Sequence, residues 1–288
     1  MIIVTGANGQ FGRQVVDHLL RRVPAERVGV SVRDPRRADG YARRGVRVRR
    51  GDFTDPASLA DAFEGATQVL VVSVDRLGDE AVRQHRAAID AAVAAGARRI
   101  LYTSHQAAGT TSRFRPGRDH AATEEALRHS GIAYTSLRNG FYASSGLAYF
   151  GDAGRTGTLD LPADGPVSWT DRADLAEAAA VLLADEGRYD GPTPPLTAAD
   201  AYTYAELAAL ASELTGRTVS RGTVTDERFR DAMVERGVPA GMAGELVGMF
   251  AAARDGEFTA VDPTLGELLG RAPTPMRTLL AQHLAQSE

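Results

Sequence analysis

Apolar positions in the first half of the chain recur in an order that alternates strand and helix. Met1 to Val4 form an apolar run. After a glycine-rich stretch, Val15, Val16, Leu19 and Leu20 fall at helical spacing, with Arg13, Asp17, Arg21 and Arg22 on the opposite face. A second strand is expected at Val28 to Val32 and a third at Val46 to Arg49, the latter ending at Gly51 and Asp52. Asp55 and Pro56 make an N-cap and first-turn pair for a helix carrying Leu59, Ala62 and Phe63. Val69 to Ser73 is almost unbroken apolar sequence, as a strand covered on both faces requires. A helix from about Glu80 to Ala95 ends at Gly96, and strands follow at Arg99 to Ser104 and Ala133 to Leu137. Strands and helices alternating at this pitch predict an α/β fold, a doubly wound parallel Rossmann sheet.

Beyond Arg138 the rhythm changes. Gly140, Gly146, Gly151, Gly154, Gly157 and Gly165, with Pro162 and Pro166, mark turns, and a short strand is expected near Thr158 to Leu161. Helical segments then dominate, at Arg172 to Ala184, Tyr204 to Leu214, Glu227 to Arg236, Ala240 to Ala253 and Met276 to Leu284. The expected division is a sheet domain over 1–138 and a smaller, mainly helical C-terminal lobe over 139–288, with interleaved segments. The lobe is expected over the carboxyl ends of the strands, where open α/β sheets bind ligands.

The stretch Thr5 to Gly12, TGANGQFG, lies between the first strand and the first helix. Gly6 permits the turn, Gly9 has no side chain to keep a ligand off the backbone, and Gly12 lets the helix pack close to the strand. The helix then presents its unpaired amides and positive dipole end to an anion. This context predicts a dinucleotide pyrophosphate, which makes 1–138 the NAD(P)-binding domain and 139–288 the substrate lobe.

Composition narrows the chemistry by exclusion. The chain has no cysteine, which removes disulfides, thiolate catalysis and thiolate metal sites. Its six histidines form no HExxH pattern, so no metal is expected. All 33 Lys/Arg positions are arginine, which removes a P-loop lysine and a Schiff base. No apolar run approaches the roughly 20 residues that span a bilayer, and residues 1–4 begin a strand rather than a signal peptide, so a cytoplasmic protein is expected, with no membrane partner. The net charge of −4 predicts no nucleic-acid partner, and Arg43, Arg44, Arg47, Arg49 and Arg50 read as the solvated edge of the third strand.

Several segments resemble the atypical short-chain dehydrogenase/reductase family, specifically its NmrA-like branch and the bacterial NAD(P)H:quinone oxidoreductase type 2 group. They are TGANGQFG, SVRDP at Ser31 to Pro35, GDFTDPASL at Gly51 to Leu59, YTS at Tyr102 to Ser104, HSGIAYTSLRNGFY at His129 to Tyr142, and DRADLAEAAA at Asp171 to Ala180. The resemblance implies that Asn8, Gln10 and Phe11 line the pyrophosphate turn and that Asp52 and Phe53 contact the adenine side. It implies that Ser73, Val74 and Thr103 meet the cofactor at strand ends. The loop Asn139 to Tyr142, with Phe141, is implied to lie near the nicotinamide. Read without the resemblance, Phe141 and Tyr142 are equally well core aromatics. Arg33 favours NADPH, because an arginine there accommodates the 2′-phosphate; Asp34 keeps NADH open, because a carboxylate one residue away can take the ribose hydroxyls. No flavin is expected.

The chain departs from the family where its TEK triplet reads Thr123, Glu124, Glu125, with Glu125 in the lysine's place. The remaining candidates for a proton donor are His105, Ser104, His120 and Tyr142. His120 and Glu124, four residues apart, also read as a surface pair. Trp169 reads as lobe packing. The expected function is NAD(P)H-dependent reduction of a quinone or conjugated aromatic carbonyl, because a quinone accepts hydride without strong acid assistance. Arginine at every Lys/Arg position fits a high-GC genome and extends this to a bacterial tailoring enzyme for aromatic polyketides, whose hydroquinone product passes electrons to oxygen. The alternative is a non-catalytic NAD(P) redox sensor acting on a partner protein. A homodimer is left open.

Overall fold

Successive side chains along a strand point to opposite faces of a sheet, and in this chain both sets are apolar. In the computed structural model, which describes residues 1–151 and 153–286, the strands are β1 (Ile2–Thr5), β2 (Val28–Val32), β3 (Arg47–Arg50), β4 (Gln68–Val71), β5 (Arg99–His105), β6 (Ala133–Asn139), β7 (Thr158–Pro162), β8 (Gly191–Pro192) and β9 (Ser220–Val224). Ile2, Val4, Val30, Leu70 and Leu101 pack on one side, and Ile3, Val69, Val71, Ile100 and Tyr102 on the other. A sheet apolar on both faces must be covered on both, and parallel strands with helical crossovers achieve this. The described residues form a parallel seven-stranded sheet in the order β3-β2-β1-β4-β5-β6-β8. The doubly wound Rossmann fold expected from the sequence is the fold observed.

The helices are α1 (Gln10–Leu19), α2 (Asp39–Ala42), α3 (Pro56–Phe63), α4 (Asp79–Ala94), α5 (Arg115–His129), α6 (Ala143–Phe150), α7 (Ala153–Thr156), α8 (Arg172–Ala184), α9 (Tyr204–Thr215), α10 (Asp226–Glu235), α11 (Ala240–Arg254), α12 (Thr264–Leu269) and α13 (Met276–Gln286). Helices α1, α8 and α12 cover one face of the sheet, and α3, α4 and α5 the other. The alanine-rich α8 is buried on most of its circumference between α1 and α12, and β8 continues the sheet beyond β6. Three elements from beyond residue 138, α8, β8 and α12, thus build the sheet layers.

The lobe has its own core around Trp169, Tyr204, Phe250 and Phe258, and β7 pairs with β9 in a parallel ribbon. Trp169 is fully buried, and its indole N–H donates to the Tyr202 carbonyl at 3.1 Å. Strand β9 was not expected because Ser220 to Val224 has a central glycine and no apolar alternation. Helix α6 replaces an expected run of turns. Gly146 sits inside it because a Cβ there would lie 2.7 Å from the Trp169 ring, so the glycine serves packing rather than a turn. Among the described residues, no helix is long and apolar enough to cross a membrane.

Candidate active site

The glycine turn is built by backbone contact. Gly6 has φ +64°, a left-handed conformation that favours glycine. Its carbonyl accepts from Gly9 N–H at 2.9 Å. Gly9 caps α1 without a side-chain partner, and the first bond from α1 back to that cap is Arg13 N–H to Gly9 at 3.1 Å. The amides of Gln10, Phe11 and Gly12 therefore lack intrahelical acceptors and face the turn. At Gly12 a Cβ would meet the Gly6 carbonyl group and lie 3.0 Å from Ala7 Cα.

A cleft of about 560 Å³ runs from this turn along the carboxyl ends of β2, β3 and β4. Gly6, Asn8, Gly9, Arg33, Asp52, Phe53, Ser73 and Val74, all expected to bind cofactor, line it. Arg33 and Arg37 edge it, and neither side chain makes a hydrogen bond or ion pair among the described residues. Asp34 is already engaged: it accepts from Arg36 Nε at 2.9 Å and caps the turn that follows β2. That pairing holds its carboxyl below the usual carboxylate range. Asp52 likewise accepts from Thr54, which lowers its pKa.

The strand ends are braced from beneath. Thr5 Oγ1 accepts from Val72 N–H at 2.9 Å, and Thr103 Oγ1 accepts from Ser73 N–H at 2.8 Å. Thr103 therefore holds the β4 end from behind the cleft wall. Gln10 accepts from Arg172, and Phe11 stacks on Tyr142 with centroids 6.4 Å apart. Asn139 is buried against Tyr142, and among the described residues neither polar atom of its amide makes a well-formed hydrogen bond. An orphaned amide is costly unless a ligand completes it. Together with the open α1 amides, this donor set fits a dinucleotide.

A second cavity, about 330 Å³, adjoins the cleft and shares Val74, Asp75 and Arg76 with it. Phe114, Phe141 and Tyr149 offer aromatic surface, and Leu246 and Met249 of α11 close the lobe side. Phe141 thus lines this cavity and not the first cleft. Its floor carries His85 and His120. His85 Nε2 lies 3.1 Å from Val74 N–H, and His85 Nδ1 lies 2.9 Å from Thr123 Oγ1 and 3.3 Å from the Tyr102 hydroxyl. That hydroxyl lies 2.7 Å from His120 Nδ1.

The other expected acids are placed differently. His105 stacks behind the His120 ring with centroids 6.1 Å apart, among Phe114, Phe141 and Phe258, and its Nδ1 accepts from Ala107 N–H. Ser104 donates to Glu124 at 2.7 Å. Tyr142 lies beneath Arg172, whose guanidinium carbon is 4.8 Å from the ring centroid. The expected His120 and Glu124 surface pair is not formed: Glu124 is buried and bound by Arg138 at 2.7 Å, while His120 turns to Tyr102. Glu125, one residue on, points to solvent and pairs with Arg128. A helix advances about 100° per residue, so a side chain at 125 lies roughly 140° around α5 from the cavity-lining His120, and it does not line the cavity.

The sequence reading missed His85 and Tyr102 as site residues. His85 does carry a signal, since it interrupts the otherwise apolar α4 face of Ala81, Ala88, Ile89 and Ala92. Burial pushes its pKa down to about 4 from an ordinary value of 6.5. The unfolded chain takes up this proton as pH falls through 6.5, and the folded protein only near 4. Its contribution to stability is therefore complete above pH 6.5 and falls by about 3 kcal/mol by pH 4. Urea unfolding at pH 7.5 and pH 4.5 is expected to show a loss of about 2–3 kcal/mol from this group; equal midpoints would contradict the neutral buried imidazole.

Residues 1–275 match the NmrA-like family. Quinone oxidoreductase 2 of Escherichia coli strain K12 is 35% identical over 277 residues, 96% of each chain. The NAD(P)H azoreductase of Xenophilus azovorans is 30% identical over 280 residues, 96% of this chain and 95% of that one. Among solved structures, an NADPH-dependent quinone oxidoreductase of Escherichia coli complexed with NADPH aligns with a TM-score of 0.92 at 34% identity, covering 98% of this chain and 99% of that one.

Proposed function

The chain belongs to the NmrA-like family and is an NAD(P)H-dependent oxidoreductase, and on that premise we propose that it uses NADPH to reduce quinones or similarly conjugated aromatic carbonyls. The observation that carries this reading is the junction of the two cavities at Val74 to Arg76, where an apolar, aromatic chamber opens onto a dinucleotide cleft. When bound, NADPH supplies a hydride from its nicotinamide ring. The glycine turn and the α1 amides hold the pyrophosphate, Arg33 and Arg37 receive the 2′-phosphate, and Asn139 offers its unpartnered amide to the nicotinamide end. Phe114, Phe141 and Tyr149 lie against a flat substrate and exclude water, while His120 faces its oxygen. The overall exchange is quinone, NADPH and one proton to hydroquinone and NADP⁺.

NADPH oxidation with a panel of benzoquinones and naphthoquinones, in air and under nitrogen, tests this reading. Stoichiometric, quinone-dependent oxidation under nitrogen is expected. Tight NADPH binding without turnover would replace the reading with the non-catalytic sensor. The finer reading, a cytoplasmic tailoring enzyme of aromatic polyketides whose hydroquinone reduces oxygen, draws on the all-arginine composition. It requires NADPH consumption beyond one equivalent per quinone in air, and fails without it.

A further inference from the structure

We propose that His85 and Tyr102 are positioning residues that hold His120 in the tautomer with its proton on Nε2, so that a neutral imidazole donates a hydrogen bond to the substrate oxygen. The proposal rests on the reductase reading and adds to it the device that prepares the donor.

One group in the network has a role fixed by its chemistry. The backbone N–H of Val74 can only donate, and it lies 3.1 Å from His85 Nε2, so that nitrogen is an acceptor. A neutral His85 then carries its proton on Nδ1. Thr123 Oγ1, whose own proton goes to the Asp119 carbonyl at 2.9 Å, accepts from that Nδ1 at 2.9 Å. The Tyr102 oxygen lies 3.3 Å from the same nitrogen and can only be a second acceptor. Thr123 Oγ1 also lies beside the Tyr102 hydroxyl but is already engaged with the Asp119 carbonyl and His85 Nδ1, and the short approach is to His120 Nδ1, 2.7 Å away, which the geometry assigns as the acceptor of the Tyr102 proton.

With Nδ1 of His120 used as an acceptor, its proton sits on Nε2. Among the described residues Nε2 has no protein partner, and the ring lines the substrate cavity. Tyr102 is fully buried on β5, so bulk water does not compete for its hydroxyl. Burial, together with the neighbouring His105 and His85, holds the His120 pKa well below the ordinary histidine value, which keeps the imidazole neutral.

A neutral donor is suited to the reaction. Negative charge grows on the substrate oxygen as hydride arrives, and a fixed N–H in a water-poor cavity stabilises that charge more than it stabilises the ground-state carbonyl. The hydrogen bond does not transfer the proton, so the imidazole needs no reload. The proton that completes the hydroquinone comes from water. Because Val74 also lines the cofactor cleft, the loop beside the dinucleotide sets the first tautomer in the series.

The test combines ¹⁵N NMR of histidine-labelled full-length protein, with and without NADPH, with steady-state kinetics of Tyr102→Phe. In the wild type, the His120 signals are expected to show an unprotonated Nδ1 and a protonated Nε2. In Tyr102→Phe they are expected to move toward a mixture of tautomers. Its kcat is expected to fall about tenfold or more, with the Kd for NADPH within twofold of wild type. His120→Gln, which keeps an N–H donor, is expected to retain more activity than His120→Leu. A wild-type His120 protonated on Nδ1 overturns the inference, and this spectrum decides whether or not the variant folds. So does a Tyr102→Phe enzyme with unchanged kcat. A wild type that oxidises no NADPH with any quinone overturns the functional reading instead, and the two failures are distinguishable.

Discussion

Arg33→Ala is expected to raise the KM for NADPH by roughly 10- to 100-fold while leaving that for NADH within about twofold, the range that follows from losing one charge-assisted phosphate contact. Among the described residues the guanidinium edges the cleft without a hydrogen bond or ion pair of its own, so binding a phosphate costs it no existing contact there. The competing reading, in which Asp34 takes the ribose hydroxyls of NADH, requires a free carboxylate. Asp34 instead binds Arg36 through both oxygens, at 2.9 and 3.2 Å, and caps the turn after β2. Arg37 lies on the same rim and sustains residual binding, so the double variant Arg33→Ala, Arg37→Ala is expected to lose more. Initial rates with both cofactors check this. A parallel fall for NADPH and NADH would mean that Arg33 acts on the turn and not on the phosphate.

Gly12→Ala is expected to weaken NADPH binding by two orders of magnitude or more and to lower the unfolding free energy by about 1–3 kcal/mol. The added Cβ would meet the Gly6 carbonyl group and lie 2.7 Å from its carbon, and both partners are backbone. Relief requires α1 to move off the turn, which carries the open amides of Gln10, Phe11 and Gly12 away from the pyrophosphate. Gly40→Ala is the control: a Cβ there meets nothing within 4 Å, and the position is helical. It is expected to leave stability unchanged or raise it by about 0.5–1 kcal/mol. Urea unfolding with cofactor titration by nicotinamide fluorescence separates the two. Wild-type affinity in Gly12→Ala would show that the turn tolerates the shift.

The legible parts of this protein are those set by neighbours in the chain. Strand and helix signals from Met1 to Arg138 reflect side-chain periodicity, and the cleft-lining residues Gly6, Asn8, Gly9, Arg33, Asp52 and Phe53 lie at strand ends that such signals locate. The less legible parts depend on what packs against what. Gly146 reads as a turn until Trp169 is seen against it. Glu124 and Glu125 are alike as letters, yet one is buried against Arg138 and Ser104 and the other lies in solvent with Arg128.

The sequence alone determined where the glycine turn and the open amides of α1 lie, because a strand, a glycine turn and a helix start are consecutive and their geometry follows from local backbone freedom. Only the tertiary structure decided what lies at and beneath the floor of the aromatic cavity. Val74, His85, Tyr102 and His120 come from a strand end, two helices and a neighbouring strand, and it is the stacking of α4 and α5 on β4 and β5 that brings their polar atoms within hydrogen-bond distance. Residues so separated along the chain meet through burial of apolar surface elsewhere, and no periodicity records the meeting.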